Sequence, residues 1–572
     1  MTDVLIVGGG GAGLTVSALL SQLGVDTLLV NARPDTSALP KAHYLNQRTM
    51  EIFRDLGVAD AVYERGTPPH QMSHSAWYAG LRGDDPDFGR EFGKIECWGA
   101  GGRNPAWAAA SACLPSNLPQ IRLEPLLRQR AEELAPGRVR FNHDVTAISQ
   151  DSDGVTATIL DKDTGAEYQV RSRYLLGCDG GRTVGPSIGV AMEGHRDVAR
   201  VVTVHFSADL SGWARDPEVL IRWLCLPQLG VGGVLAPAGP ERWGPDSEEW
   251  IFHLNYLADD DRALDDAAVE SDMRKALGID AYEIHMITRW TLEGVVADRF
   301  RDGRVFLLGD AAHRHPPTGG LGLNSAVQDA HNLAWKLAAV LNGQSGEELL
   351  DTYEPERKPT TARNVQRSVE NAVNHLVTTH SLGISPEQTA EENWQALRQV
   401  WDERSEDARR AVAGQSMEFD EHNIEYGYTY ESSAVIGDGT EAPHNPDPIR
   451  LYQPGTRPGH PLPHAWLDDG VPLMDLVRPG RFLLIAGEQG HDWLTAAAKA
   501  AANLNVPVDA VRIGHADGDH LDPRSAWVRH RGITDRGAVL VRPDRFVAWR
   551  STGATADPGA ELHQVLSTLL GR

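Results

Sequence analysis

Apolar and polar positions along this chain follow two rhythms, and twice a short apolar run breaks into glycines that open a helix. At the N-terminus, DVLIVGGGGAGLTVSALLSQLGVDTLLVN gives an apolar strand at 4–7, a glycine loop, helical spacing from about 12 to 23 and a second apolar strand at 27–30. The second instance starts with the apolar run 305–308 and turns at Gly309 and Asp310 into a Pro/Gly-rich loop. It continues with Ala326, Val327, Ala330, Leu333, Ala334, Leu337 and Ala338 at helical spacing. A helix start preceded by Gly319, Gly320 and Gly322 offers free backbone N–H groups and the positive end of a dipole, with no side chain in the way. Such a place predicts an electron-rich ligand.

Alternation with period two governs much of the rest. Residues 138–183 hold alternating strands joined by SDG and DTG turns, a β-meander closing on a strand at 174–177. From 187 to 300, RVVTVHFSADL, EVLIRWLCL, VGGVLAP and EEWIFHLNY predict an antiparallel sheet. The stretch 66–119 is rich in Gly, Pro, Trp and Ser and has little period, which marks a lid or an excursion toward a second domain. Residues 386–425 are charged and helical, and a turn-rich linker at 437–463 marks a boundary. Beyond it, RFLLIAG, HDWLTAAAKAAANL, PVDAVRIG, GAVLVRPDRFVAWR and GAELHQVLSTLL give βαβ followed by ββα. That order resembles a thioredoxin-like domain, here without any cysteine, so an interaction or stabilising role is expected for it.

Composition narrows the class. A chain of 572 residues with 41% hydrophobic positions predicts several domains with sizeable cores. The formal charge of −25 argues against nucleic acid or an anionic membrane surface as the main ligand. Cys97, Cys113, Cys178 and Cys225 are widely spaced and lack a CxxC or paired-histidine pattern, which predicts a reducing compartment and no metal site. Met1 runs straight into the first strand and no apolar run reaches the about 18 residues of a membrane span, so a cytoplasmic protein is expected.

Gly8, Gly10 and Gly13 satisfy GxGxxG directly after a strand and at the start of a helix, with a second strand following, which is the context of a dinucleotide fingerprint. Asn31 stands about 20 residues on, where an acidic residue usually meets the ribose, and its amide can still hydrogen-bond that sugar.

Taken together, GGGGAGL at 8–14, CDGGRT at 178–183, GDAAHRHPPTGGLGLN at 309–324, DAHNLAWKL at 329–337 and YEPERKP at 353–359 resemble the FAD-dependent aromatic hydroxylases of the para-hydroxybenzoate hydroxylase superfamily. PKAHYLNQRTMEIFRDLGV at 40–58, GGRNP at 101–105 and the extra C-terminal region resemble the phenol and 2,4-dichlorophenol hydroxylase branch. The resemblance implies a mixed α/β fold: a discontinuous Rossmann-like FAD-binding domain at 1–187 and 290–385, and an inserted antiparallel-sheet substrate domain at 188–289. A helical segment and linker at 386–464 and the thioredoxin-like domain at 465–572 complete it.

The implied reaction is hydroxylation of a phenolic or hydroxy-heteroaromatic ring by a flavin C4a-hydroperoxide, with O2 and NADH or NADPH as co-substrates. Only one GxGxxG is apparent, so the nicotinamide is expected to dock transiently. The choice between NADH and NADPH stays open, as does homo-oligomerisation. By resemblance, Arg48, Gln120 and Asp179 join the glycines and Asn31 in holding FAD. Asp310 would accept ribityl hydroxyls and Pro317 would stiffen the loop at the ring face. Gly320 and the backbone N–H groups of Gly322, Leu323 and Asn324 would favour negative charge on the reduced ring.

His43, in a K-A-H context, is implied as the group at the substrate's hydroxyl. Arg222, Trp223 and Arg242 are candidates to line the pocket, Arg242 as a second catalytic group, although tryptophan in a strand is ordinarily core and arginine ordinarily surface. Asn117 is a pocket candidate that also reads as a turn residue before Pro119. A flavin oxidoreductase of the same fold that inserts no oxygen is the alternative function.

Overall fold

The structure is a computed structural model that describes residues 1–258, 264–403 and 405–572. Its first sheet is built on the strand Thr2–Val7, whose apolar residues are buried from both sides, as a strand in the middle of a parallel sheet requires. Val305–Leu307, Glu167–Gly177, Thr2–Val7, Thr27–Asn31 and Val139–Phe141 lie side by side and parallel. In register, Val7 stands beside Gly177 and Gly177 beside Leu307. Three loops, at Gly8, Cys178 and Leu308, therefore leave the carboxyl edge of this sheet together, the edge where open α/β sheets bind ligands. The helices Gly11–Gln22 and Leu321–Leu341 start from two of these loops and pack on each other.

The second sheet runs His313–Arg314, Glu283–Ala297, Met192–Ser207, Glu249–Leu257, Val231–Gly239, Val219–Leu226, His74–Ala79 and Glu91–Glu96. Its strands from the 187–300 region pair antiparallel. The aperiodic stretch 66–119 supplies the last two strands, and His74–Ala79 lies parallel to Val219–Leu226. That pair is free to run parallel because a long crossover, not a hairpin, joins it. Alternation gives the sheet two faces. Val202, Val204, Phe206, Leu224, Leu226, Leu235, Trp250, Phe252 and Leu254 share one core with Val269, Met273, Ala276 and Leu277 of the helix Asp266–Leu277. Thr203, Trp223, Val234 and His253 fall on the opposite face.

The third sheet, His520–Leu521, Val508–Gly514, Phe482–Ala486, Ala538–Val541 and Val547–Ser551, carries the helix His491–Leu504 as a crossover between its two parallel central strands. It gives the C-terminal region its thioredoxin-like form. A buried ionic cluster docks it on the rest: Arg542 bonds Glu356 at 2.6 and 2.8 Å and Asp544 at 3.0 Å, and Lys336 Nζ bonds Glu356 at 2.7 Å. The whole is a mixed α/β protein. No helix among the described residues is long and apolar enough to cross a membrane.

Candidate active site

At the first loop, Gly8 has φ +115°, and a Cβ there would overlap the carbonyl oxygen of Cys178; one at Gly13 would overlap the carbonyl oxygen of Gly8. Strand, helix and the 178 loop thus meet at contact distance. The helix Gly11–Gln22 has no side-chain cap and no acidic residue in its first turn, so its leading N–H groups stay available to an anion. Asn31 Oδ1 accepts the N–H of Gly9 at 3.1 Å, which places this amide at the end of the second strand beside the loop. Gln120 donates to Glu124, which lies against Gly10 and accepts the N–H of Ser37 at 2.7 Å.

At the second loop, Asp329, wholly buried on the central helix, fixes the turn. Its carboxylate accepts the N–H of Gly309 at 3.1 Å, pairs with His313 at 2.7 Å and takes the Arg357 guanidinium at 2.7 Å. Burial alone would raise the carboxyl pKa, but His313 and Arg357 outweigh it and hold Asp329 below the usual range. Asp310, next to this anchored turn, is exposed and its carboxylate has no partner among the described residues. Gly320, in the left-handed region at φ +65°, starts the helix Leu321–Leu341 without a side-chain cap, and its N–H bonds the carbonyl of Pro317 at 3.0 Å. A Cβ at Gly322 would meet nothing nearer than His315 at 3.7 Å. Both ring nitrogens of His315 are buried without partners among the described residues.

These features fit FAD: a glycine cradle with uncapped N–H groups, a free carboxylate on an anchored turn, and a second uncapped helix start with an orphaned imidazole beside it. Asn324 is tied elsewhere, accepting the N–H of Asn46 at 3.0 Å and donating to the carbonyl of Tyr44 at 3.0 Å, so only its backbone and that of Leu323 remain for a ligand.

His43 is half-buried between these loops and the second sheet. Its Nδ1 lies 2.5 Å from Asn117 Oδ1, and Asn117 Nδ2 donates to Thr67 Oγ1 at 2.7 Å. Asn117 is no turn residue: Ser116–Asn117 pairs with Tyr44–Leu45 as a short antiparallel ribbon, which carries the amide to the imidazole. Burial lowers the His43 pKa, and the bond from Asn117 partly opposes the shift. Trp223 faces the same side of the sheet, stacked 3.6 Å from His375, with its indole N–H on Ser75 Oγ at 3.1 Å.

Other predicted side chains have protein partners of their own. Arg222, next in the chain to Trp223, must point to the opposite face, where its guanidinium donates to the carbonyls of Val219 at 2.9 Å and Asp216 at 2.8 Å. Arg242 is exposed and paired with Glu248 at 2.7 Å. Arg48, turned away from Asn46 by helical rotation, bonds Glu51 at 2.5 Å and lies 4.5 Å from the Tyr426 ring. The Asp179 carboxylate caps its own turn, accepting from Thr183 at 2.5 Å and Val184 at 2.9 Å, so this motif shapes the cradle through its backbone.

Sequence reasoning passed over Asp329 and Arg357 as individual residues; for Asp329 a charge on a largely apolar helix is the signal of a buried partner, whereas Arg357 sits in the charged run YEPERKP and carries no such signal. It also passed over the segment 416–425. Glu418 Oε1 accepts the N–H of Gly319 at 2.9 Å, and Glu425 takes the Tyr44 hydroxyl at 2.7 Å. Burial pushes the Glu425 pKa up to about 8 against the pull of that bond.

Comparison with known proteins agrees with this geometry. An FAD binding domain family matches residues 1–368, and the family of aromatic-ring hydroxylase C-terminal domains matches 455–572. The chain is 35% identical to the 2,4-dichlorophenol 6-monooxygenase of Delftia acidovorans over 586 residues, covering 100% of this chain and 98% of that enzyme. It is 34% identical to the tetracenomycin A2 monooxygenase-dioxygenase of Streptomyces glaucescens, covering 100% and 97%. The crystal structure of the flavin-dependent monooxygenase PieE with FAD and substrate superposes with a TM-score of 0.91 at 39% identity, covering 100% of this chain and 99% of PieE. The chain belongs to the FAD-dependent aromatic-ring hydroxylases. It is a flavoprotein monooxygenase, and FAD is its cofactor.

Proposed function

We propose that the protein hydroxylates a phenolic ring with O2 and NADH or NADPH as co-substrates, and that His43 takes the proton of the substrate's hydroxyl. The observation that carries this reading is the bond between His43 Nδ1 and Asn117 Oδ1 at 2.5 Å, with the other side of the amide fixed on Thr67. An amide oxygen can only accept, so the proton of neutral His43 sits on Nδ1 and the lone pair of Nε2 is free to accept a phenol proton. Burial favours the neutral imidazole over the charged one, the form a base needs.

FAD supplies reduction by the nicotinamide and activation of oxygen when bound. The chain's own residues position and shield. The N–H groups of the helix start at Gly11, Ala12 and Gly13 suit the pyrophosphate, the Asp310 carboxylate suits ribityl hydroxyls, and the helix start after Gly320 favours negative charge on the ring. Trp223 and His375 stack on one another, with His375 held by Glu418 at 2.5 Å, and this stacked pair would shield the site from water. Relatives of this chain act on 2,4-dichlorophenol and phenol by name, and a structural neighbour binds aklavinone with FAD, which supports a phenolic substrate.

A panel of phenols tests the reading. Substrate-stimulated oxidation of NAD(P)H, matched by oxygen uptake and a product heavier by one oxygen, is expected. Oxidation of NAD(P)H without an oxygenated product would instead indicate the oxidoreductase that inserts no oxygen.

A further inference from the structure

The strand Glu249–Leu257 carries a second histidine on the cleft face. Its alternation places Trp250, Phe252 and Leu254 in the core behind the sheet and leaves Glu249 and His253 on the other side. His43 is brought to the same side from the first domain. The N–H of Gln120 bonds the carbonyl of Ala42 at 2.8 Å, and two residues on, Arg122 bonds Glu249 at 2.6 Å, on the same face of the same strand as His253. The two imidazoles are near enough that a charge on His43 opposes one on His253.

Their protons are ordered oppositely. The Trp290 indole can only donate, and it does so to Thr203 Oγ1 at 2.9 Å. Thr203 Oγ1 is also 2.8 Å from His253 Nδ1, and no other acceptor among the described residues takes its hydroxyl proton. The threonine O–H therefore donates to Nδ1, which must be bare. In the neutral ring the proton then sits on Nε2, which has no partner among the described residues. His43, held by Asn117, is the reverse: Nδ1–H with a bare Nε2.

We infer that His253 is a substrate-positioning residue whose Nε2–H donates to an oxygen acceptor on the substrate, so that the cleft selects a phenol that also bears a carbonyl. One imidazole accepts from the hydroxyl and the other donates to the carbonyl. The chain Trp290, Thr203, His253 holds the donor in place from within the sheet. A site built to hydrogen-bond a polar group discriminates against the analogue lacking it, because the buried partner is left unpaired. This inference rests on the phenol-hydroxylase reading above.

The test uses the FAD-loaded full chain with 2-, 3- and 4-hydroxyacetophenone and the matching ethylphenols, which keep the size and lose the carbonyl. The wild type is expected to prefer at least one ketone isomer in kcat/KM. His253→Leu should lower that ketone-to-ethylphenol ratio about tenfold, the order expected for one lost hydrogen bond to a buried oxygen. His253→Gln, whose amide can still donate, should restore part of it, and Thr203→Val should lower it less than His253→Leu. FAD content, read from the flavin absorbance, confirms that each variant is folded. A wild type that favours no ketone, or a ratio unchanged in His253→Leu, overturns the inference while leaving phenol hydroxylation intact. A wild type that oxidises none of the six phenols overturns the reading beneath it and this inference with it.

Discussion

Asn117 Oδ1 faces His43 Nδ1 at 2.5 Å, 74 positions apart in the chain but brought together by a ribbon of two short strands. The amide orders the imidazole without charging it. Asn117→Ala should therefore free the ring to change tautomer and slow hydroxylation at neutral pH by about tenfold or more, a part of what a general base contributes, with FAD content unchanged. Asn117→Asp makes a sharper case. A carboxylate there favours the imidazolium, raises the His43 pKa and moves the acid limb of the kcat/KM profile to higher pH. A profile unmoved by the charge would remove His43 from the acid limb.

The glycine cradle predicts a spectroscopic result. A Cβ at Gly13 would overlap the carbonyl oxygen of Gly8, a backbone atom that cannot swing away. Gly13→Val should purify without the yellow of bound flavin, read as the ratio of flavin to protein absorbance. Stoichiometric FAD in that variant would count against the N-terminal site.

Glu425 lets the segment 416–425 be tested through pH. Its folded pKa, about 8, lies above the ordinary carboxyl value because burial disfavours the charge. An acid raised on folding binds more protons in the folded state than in the unfolded chain, so this group contributes stability below the unfolded pKa that is lost as pH rises through about 8. Glu425→Gln, a mimic of the protonated acid, should match the wild type below about pH 4, under the unfolded carboxyl pKa. By pH 9 it should be the more stable protein by about 1 to 3 kcal/mol, measured by denaturant unfolding. Parallel pH profiles for the two proteins would place the ionised form at Glu425.

Arg542 carries the docking of the C-terminal domain. It is buried between Glu356 and Asp544, and Lys336 shares Glu356. Removing one member of a buried ion cluster leaves uncompensated charge, so Arg542→Ala should cost about 3 to 5 kcal/mol. Deleting the chain from about residue 465 should impair solubility or assembly before it alters flavin reduction. A soluble truncation with unchanged assembly would refute a structural role for this domain.

The two glycine loops were legible because strand, turn and helix follow each other locally, and local periodicity carries that information. The pairing of Arg222 with Trp223 as joint pocket residues could have been rejected from the sequence: neighbours in a strand face opposite ways. What the sequence could not carry was register. Nothing in the local pattern says that Thr203 stands opposite His253, that residues 74–79 join a sheet built mainly from 192–297, or that Asn117 reaches His43. Asp329 falls between these cases, since it is visibly a charge in a largely apolar helix, but only the fold shows that it takes Arg357 and holds the turn at Gly309.

The most direct test of the account is the pH dependence of product formation by His43→Ala. A free phenol has a pKa of about 10, so near neutrality the reactive phenolate is scarce unless a base takes its proton, and such help is typically worth about 10² to 10⁴ in rate. The variant should keep its FAD and slow hydroxylation at pH 7 by a factor in that range, with more NAD(P)H lost as hydrogen peroxide. The deficit should close as pH approaches the phenol pKa. Hydroxylation at the wild-type rate at pH 7, or a deficit equal at every pH, would contradict the account.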